Sequence, residues 1–104
     1  QAKLRTASFS RANLQKANFG FADLREASLN EADLREADFS NANLSQGNFK
    51  GAKLNGTKLY KANLTDAQDL THKQLGKALR CQTTLPDGTV DNRDCEKLGI
   101  TPEN

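Results

Sequence analysis

Every fifth residue from Leu4 to Leu64 is Leu or Phe, thirteen positions without a slip, and the residue two before it is Ala in eleven of the thirteen, with Gly47 and Thr57 as the exceptions. A helix repeats about every 3.6 residues and a strand every 2, so fifth residues would smear around a helix and alternate between the faces of a strand. A plain helix and a plain sheet are both excluded. The pattern fits a chain that turns a quarter of a circuit every five residues, so that four units close one coil of 20 residues. Large side chain and Ala then point inward, and the other three residues of each unit face water. Residues 20 apart stack, which predicts the core columns Leu4, Leu24, Leu44, Leu64; Phe9, Leu29, Phe49; Leu14, Leu34, Leu54; and Phe19, Phe39, Leu59.

The unit reads Ala, then Asn or Asp, then Leu, then two variable residues, as in Ala12-Asn13-Leu14-Gln15-Lys16 and Ala32-Asp33-Leu34-Arg35-Glu36. This motif resembles that of the pentapeptide-repeat family. The resemblance implies an all-β solenoid, a right-handed quadrilateral β-helix, here of about three coils. It also implies a non-enzymatic role.

A solenoid core one side chain thick accounts for a hydrophobic content of only 36%. The low mean hydropathy and the absence of a long apolar run predict no membrane span. The chain starts at Gln1, in mid-repeat, and the expectation is that an upstream segment was removed. The first coil shows no cap of its own. Its exposed end predicts either upstream residues that cover it or a dimer through the N-terminal coil; monomer and dimer both remain open.

Charge is banded along the repeat. Lys3, Arg5, Arg11 and Lys16 come first without an acid; Asp23, Glu26, Glu31, Asp33, Glu36 and Asp38 follow with only Arg25 and Arg35; then come Lys50, Lys53, Lys58 and Lys61, again without an acid. Opposite charges on adjacent coils are expected to pair along the stacking direction, each exposed pair contributing ~0 to 1 kcal/mol. The same six acids are the candidate surface for a protein partner. Phe21 and Tyr60 stand at outward positions, where they either cover a corner or meet a partner.

Past Leu64 the period slips. Thr71-His72-Lys73-Gln74 reads as a capping box with Leu70 and Leu75 as a hydrophobic staple, and predicts a short helix over Thr71 to Arg80 that closes the last coil. Pro86-Asp87-Gly88 predicts a turn between two short strands, Thr83 to Leu85 and Thr89 to Asp91. Cys81 and Cys95 flank this hairpin; they are read as a structural disulfide, with free thiols or a redox pair as the alternatives. Expected units are 1–66, the repeat; 67–80, the capping helix; and 81–104, the tail closed by the Cys pair. This tail, with its Leu-Thr-x-x-Gln-Leu helix and Thr-Thr-Leu-Pro-Asp-Gly-Thr turn, resembles the C-terminal cap of family members from cyanobacteria and chloroplasts. The flanking Cys pair is similar to that of thylakoid-lumen members, and the resemblance implies the thylakoid lumen, with periplasm or cytoplasm as alternatives.

No nucleophile, base and acid stand in a recognisable pattern, and His72 is the only His, so catalytic, cofactor-binding and metal residues are all expected to be none. The functional expectation is a protein-binding or scaffold module with an unknown protein partner and no small-molecule substrate. The alternative, implied by gyrase-directed relatives, is a regulator or inhibitor of a nucleic-acid enzyme by DNA mimicry. A net charge of +2 opposes mimicry, and nucleic acid is not expected as a partner.

Overall fold

The computed structural model describes residues 2–101. The first residue of the expected repeat unit and the last three of the expected tail lie outside these. The backbone advances in straight three-residue segments separated by two-residue turns, and parallel bridges join residues 20 apart, as in Lys3 with Asp23, Asp23 with Asn43 and Asn43 with Asn63. Four segments and four corners therefore make one circuit. Neighbouring coils are stitched by backbone bonds such as Asp23 N to Ala2 O at 2.8 Å and Leu24 N to Asn43 O at 2.8 Å.

Each position of the motif has a distinct mechanical task. The Asn or Asp accepts a bond at its side-chain oxygen from the amide two residues on, as from Gln15 N to Asn13 Oδ1 at 3.2 Å and from Ser40 N to Asp38 Oδ1 at 2.8 Å, and so turns the chain into its own corner. The amide of each Ala closes the same corner onto the carbonyl of the preceding Leu or Phe. The residue before the Ala lies in the left-handed region: every fifth residue from Thr6 to Asp66 has φ between 57° and 70°. Only Gly51 and Gly56 among these are glycine. The other corners hold Arg, Lys, Glu, Phe, Asn, Gln, Thr and Asp at a conformation that disfavours any side chain.

Leu24, Leu29, Leu34, Phe39, Leu44 and Leu64 are 0% exposed and interleave with Ala22, Ala27, Ala32, Ala37, Ala42 and Ala62. Each buried Leu or Phe contributes ~1.5 to 3 kcal/mol before conformational entropy is set against it. Within the expected Phe19–Phe39–Leu59 column the two rings stack at 5.0 Å with planes 6° apart. Thr57 fits among the alanines because its hydroxyl donates to Leu34 O at 2.6 Å. In the first coil Leu4, Phe9, Leu14 and Phe19 are only partly buried, since no described residue covers their outer side.

At the other end the coil register persists one segment further than expected, to the bridge of Asn48 with Gln68. The slip falls at Asp69, where a polar residue replaces the next core Leu or Phe. Helix α1 spans His72–Lys77, shorter than the expected Thr71 to Arg80. Thr71 is its N-cap and forms the reciprocal capping box with Gln74. The helix stops at Lys77 because Ala78 turns extended and Leu79 rejoins the stack, bridging Lys58 with Leu79 N donating to Thr57 O at 2.8 Å. Arg93 satisfies the helix end, its guanidinium donating to Gly76 O and Ala78 O. Strands β1, Thr83–Thr84, and β2, Val90–Asp91, pair antiparallel, two residues each, and β1 also bridges Asn63 of the coil beneath. Cys81 and Cys95 are joined in a disulfide, both 1% exposed.

Candidate functional site

The repeat carries the six acids of the candidate surface to different parts of the circuit. Asp23, Asp33 and Asp38 occupy three different straight segments, where each forms its corner turn; Glu26, Glu31 and Glu36 occupy three successive corners at left-handed φ. They form a belt around the rod rather than a single face.

Five of the six already hold a cation. Arg25 grips Asp23, and Arg35 grips Asp33, each through Nε at 2.8 Å and Nη2 at 2.7 Å to the two carboxylate oxygens. These forks hold both aspartates well below the ordinary value of 3.8, at about 2. Glu26, Glu31 and Glu36 reach to the preceding coil, to Arg5 at 3.1 Å, Arg11 at 3.0 Å and Lys16 at 4.0 Å. Asp38 has no ion pair among the described residues.

The expected pairing between coils is thus one-sided. None of Lys50, Lys53, Lys58 and Lys61 lies within 4.0 Å of a carboxylate among the described residues, although an acidic coil lies directly above them. At two corners the geometry explains it. Below Glu31 and Glu36 stand Gly51 and Gly56, with no side chain to answer them, and the stems of the two glutamates lie 3.2 and 3.3 Å from where a Cβ would sit. The two glutamates pair with Arg11 and Lys16 of the first coil instead.

Phe21 is 58% exposed at its corner. Tyr60 is half-buried; burial, with the charges of Asp38 and Asp94 adding to it, pushes its phenol up from 10.0. His72 is exposed at the start of α1. Near the disulfide, Asp94 is buried, accepting from Arg80 N at 3.0 Å and from Arg93 Nη2 at 2.8 Å, and is lowered chiefly by the Arg93 bond. Arg80 pairs with Asp91 at 2.8 Å, while its Nε is buried without a partner among the described residues.

Surface hollows lie between corners and beside α1. One of about 460 Å³ is lined by Ser10, Arg11, Asn30, Glu31 and Lys50; one of about 150 Å³ lies between the third coil and α1, lined by Ala52, Lys53, Leu54, Asn55, Lys73, Gln74 and Lys77. Neither sets a nucleophile against a base. Among the described residues no cluster of three His, Cys, Asp or Glu could hold a metal ion, and no helix is long and apolar enough to cross a membrane.

The sequence profile of the pentapeptide repeat region matches residues 2–76. No curated protein matches the chain. Among solved structures, a pentapeptide repeat protein of the Arabidopsis thaliana thylakoid lumen is 31% identical, with a TM-score of 0.55 over 64% of this chain and 49% of that one. HetL, a pentapeptide repeat protein involved in heterocyst differentiation regulation in the cyanobacterium Nostoc, is 24% identical, with a TM-score of 0.51 over 86% of this chain and 54% of its own. Another pentapeptide repeat protein from Nostoc is 25% identical, with a TM-score of 0.54 over 92% and 84%. The chain thus spans about half the length of the first two. These likenesses imply a right-handed β-helix.

Proposed function

Because the chain belongs to the pentapeptide-repeat family, we propose that it is a non-enzymatic protein-binding or scaffold module, working in the thylakoid lumen. The observation that carries this reading is the use of the side chains. Asn and Asp of the repeat shape corners, and five belt acids neutralise four arginines and a lysine. What the fold offers is straight, regularly spaced faces on a rigid rod, suited to holding another protein.

The reading divides the chain as the sequence does: residues 1–66 as the rod, 67–80 as its cap and 81–104 as a tail stapled by the Cys pair. It takes the quadrilateral rod of about three coils as the presenting surface, and Asp23, Glu26, Glu31, Asp33, Glu36 and Asp38 as a contact strip around it. The lumen assignment draws support from the Arabidopsis relative and the disulfide.

Affinity capture from fractionated native extract tests it, using the unaltered protein and a variant with the six acids changed to Asn or Gln. A discrete protein held from the lumenal fraction supports the module, and its loss in the variant assigns the belt. Turnover of any substrate by the purified protein, or no capture from any fraction, overturns the reading.

A further inference from the structure

The third coil and the helix that caps it bring together three lysines from distant parts of the sequence. Lys53 stands on the segment below Asn13 and Asp33, and α1 lies across the end of the same side, with its Lys77 carbonyl accepting from Gly56 N at 2.9 Å. Lys73 and Lys77 are four residues apart and so share one face of α1. With Lys53 they line the hollow of about 150 Å³ whose other walls are Ala52, Leu54, Asn55 and Gln74. All three are exposed, and among the described residues no carboxylate lines the hollow. Asp33, which stands directly above Lys53 in the stack, is already gripped by Arg35 at two oxygens.

The contrast within the molecule gives this its meaning. Arg5, Arg11, Lys16, Arg25 and Arg35 of the first two coils each have an acid within 4.0 Å; Lys53, Lys73 and Lys77 have none among the described residues. Three like charges converging on one hollow repel one another, and the arrangement gains most from an anionic occupant.

We propose that this lysine-lined hollow, between the third coil and α1, is the docking site for an acidic segment of a partner protein. The chemistry selects the occupant. Lysines are compact, hydrated point charges on flexible stems, suited to a run of separately placed carboxylates; a dedicated phosphate site is built on the planar fork of Arg or on converging backbone amides. No arginine lines this hollow among the described residues, and the Gln74 amide is spent on Phe49 O and Ala52 O. No aromatic side chain lines it either, which removes the stacking platform that single-stranded nucleic acid uses.

This site rests on the reading of the chain as a protein-binding module and specifies one partner chemistry for it. The test is fluorescence anisotropy with a labelled Glu-rich peptide and, in parallel, a labelled DNA duplex of equal charge. Two triple variants remove the same charge, K53Q/K73Q/K77Q from the hollow and K50Q/K61Q/K97Q from elsewhere, and thermal melts verify that both are folded. The expected result is binding of the peptide that weakens about tenfold in the first variant, as three lost exposed ion pairs require, and less than about twofold in the second. Equal weakening in both variants, no binding of the peptide, or tighter binding of the duplex would overturn the proposal. Capture of a protein through another surface would then leave the module reading standing without this site.

Discussion

The side-chain amide of Gln74 donates to Phe49 O at 2.8 Å. That carbonyl also receives the amide of Ala52 within its own corner. The same Gln74 nitrogen reaches Ala52 O at 3.0 Å, while its oxygen accepts from Thr71 N at 2.7 Å. One side chain therefore caps the helix and terminates the coil, supplying to Ala52 O the donor that another stacked segment would bring. Gln74→Ala should cost about 2 to 4 kcal/mol, the sum of a cap and two hydrogen bonds. Gln74→Glu keeps the acceptor for Thr71 but sets an anion against two carbonyls. Chemical denaturation should show it no more stable than the Ala variant; recovery of full stability by Glu would mean that only the capping box matters.

Leu4 and Leu24 occupy one column, yet only Leu24 is covered on both sides. Leu24→Ala should destabilise by about 2 to 5 kcal/mol, the range for a large-to-small change in a packed core. Leu4→Ala should cost less than half as much. Equal losses in urea melts would show that something covers the first coil in solution.

Depressed carboxylates contribute stability that is present above their ordinary value and lost as pH falls through the folded one. For Asp23 and Asp33 that window runs from about 3.8 down to about 2. Carboxyl chemical shifts followed by NMR should give midpoints near 2 for both, and Arg25→Gln should return Asp23 alone to the ordinary range. Both pairs are exposed to water and salt, so the accompanying change in melting temperature should be slight. A midpoint for Asp23 that ignores Arg25→Gln would refute the fork as its cause.

The disulfide spans 14 residues of chain and ties the tail to the third coil's edge, where Lys61 N donates to Cys81 O at 2.9 Å. C81A/C95A should lower stability by roughly 3 kcal/mol. Hydrogen exchange should rise first in β1, β2 and the residues around Asp94, with the first two coils changed least. Uniform loss of protection across the chain would show that the tail is needed to hold the whole rod.

What could be read from the sequence was whatever repeats. Thirteen Leu and Phe positions with small partners specify an inward column and a five-residue step, and the structure places them so. The capping box at Thr71 and Gln74 was visible because its two reciprocal bonds are local. The helix end was not, since Leu79 leaves the helix for a backbone pairing with residues more than twenty positions earlier. Left-handed corners occupied by Glu, Lys and Arg give no signal, because local propensity argues for Gly or Asn there and the stacked coils override it. The direction of the Glu31 and Glu36 side chains was hidden for a related reason. It depends on Gly51 and Gly56 lying directly below, which is known only once the register is known.

Bridges between residues 20 apart make the chain behave like a thread on a four-toothed wheel. Deleting one unit of five would keep every inward Leu inward while rotating all that follows by a quarter turn, parting Lys53 from the face it shares with Asp33. Deleting four units together would restore every face and merely shorten the rod. Length and facing are therefore separately adjustable in such a gene, and changes in multiples of four units are the ones that leave a binding side intact.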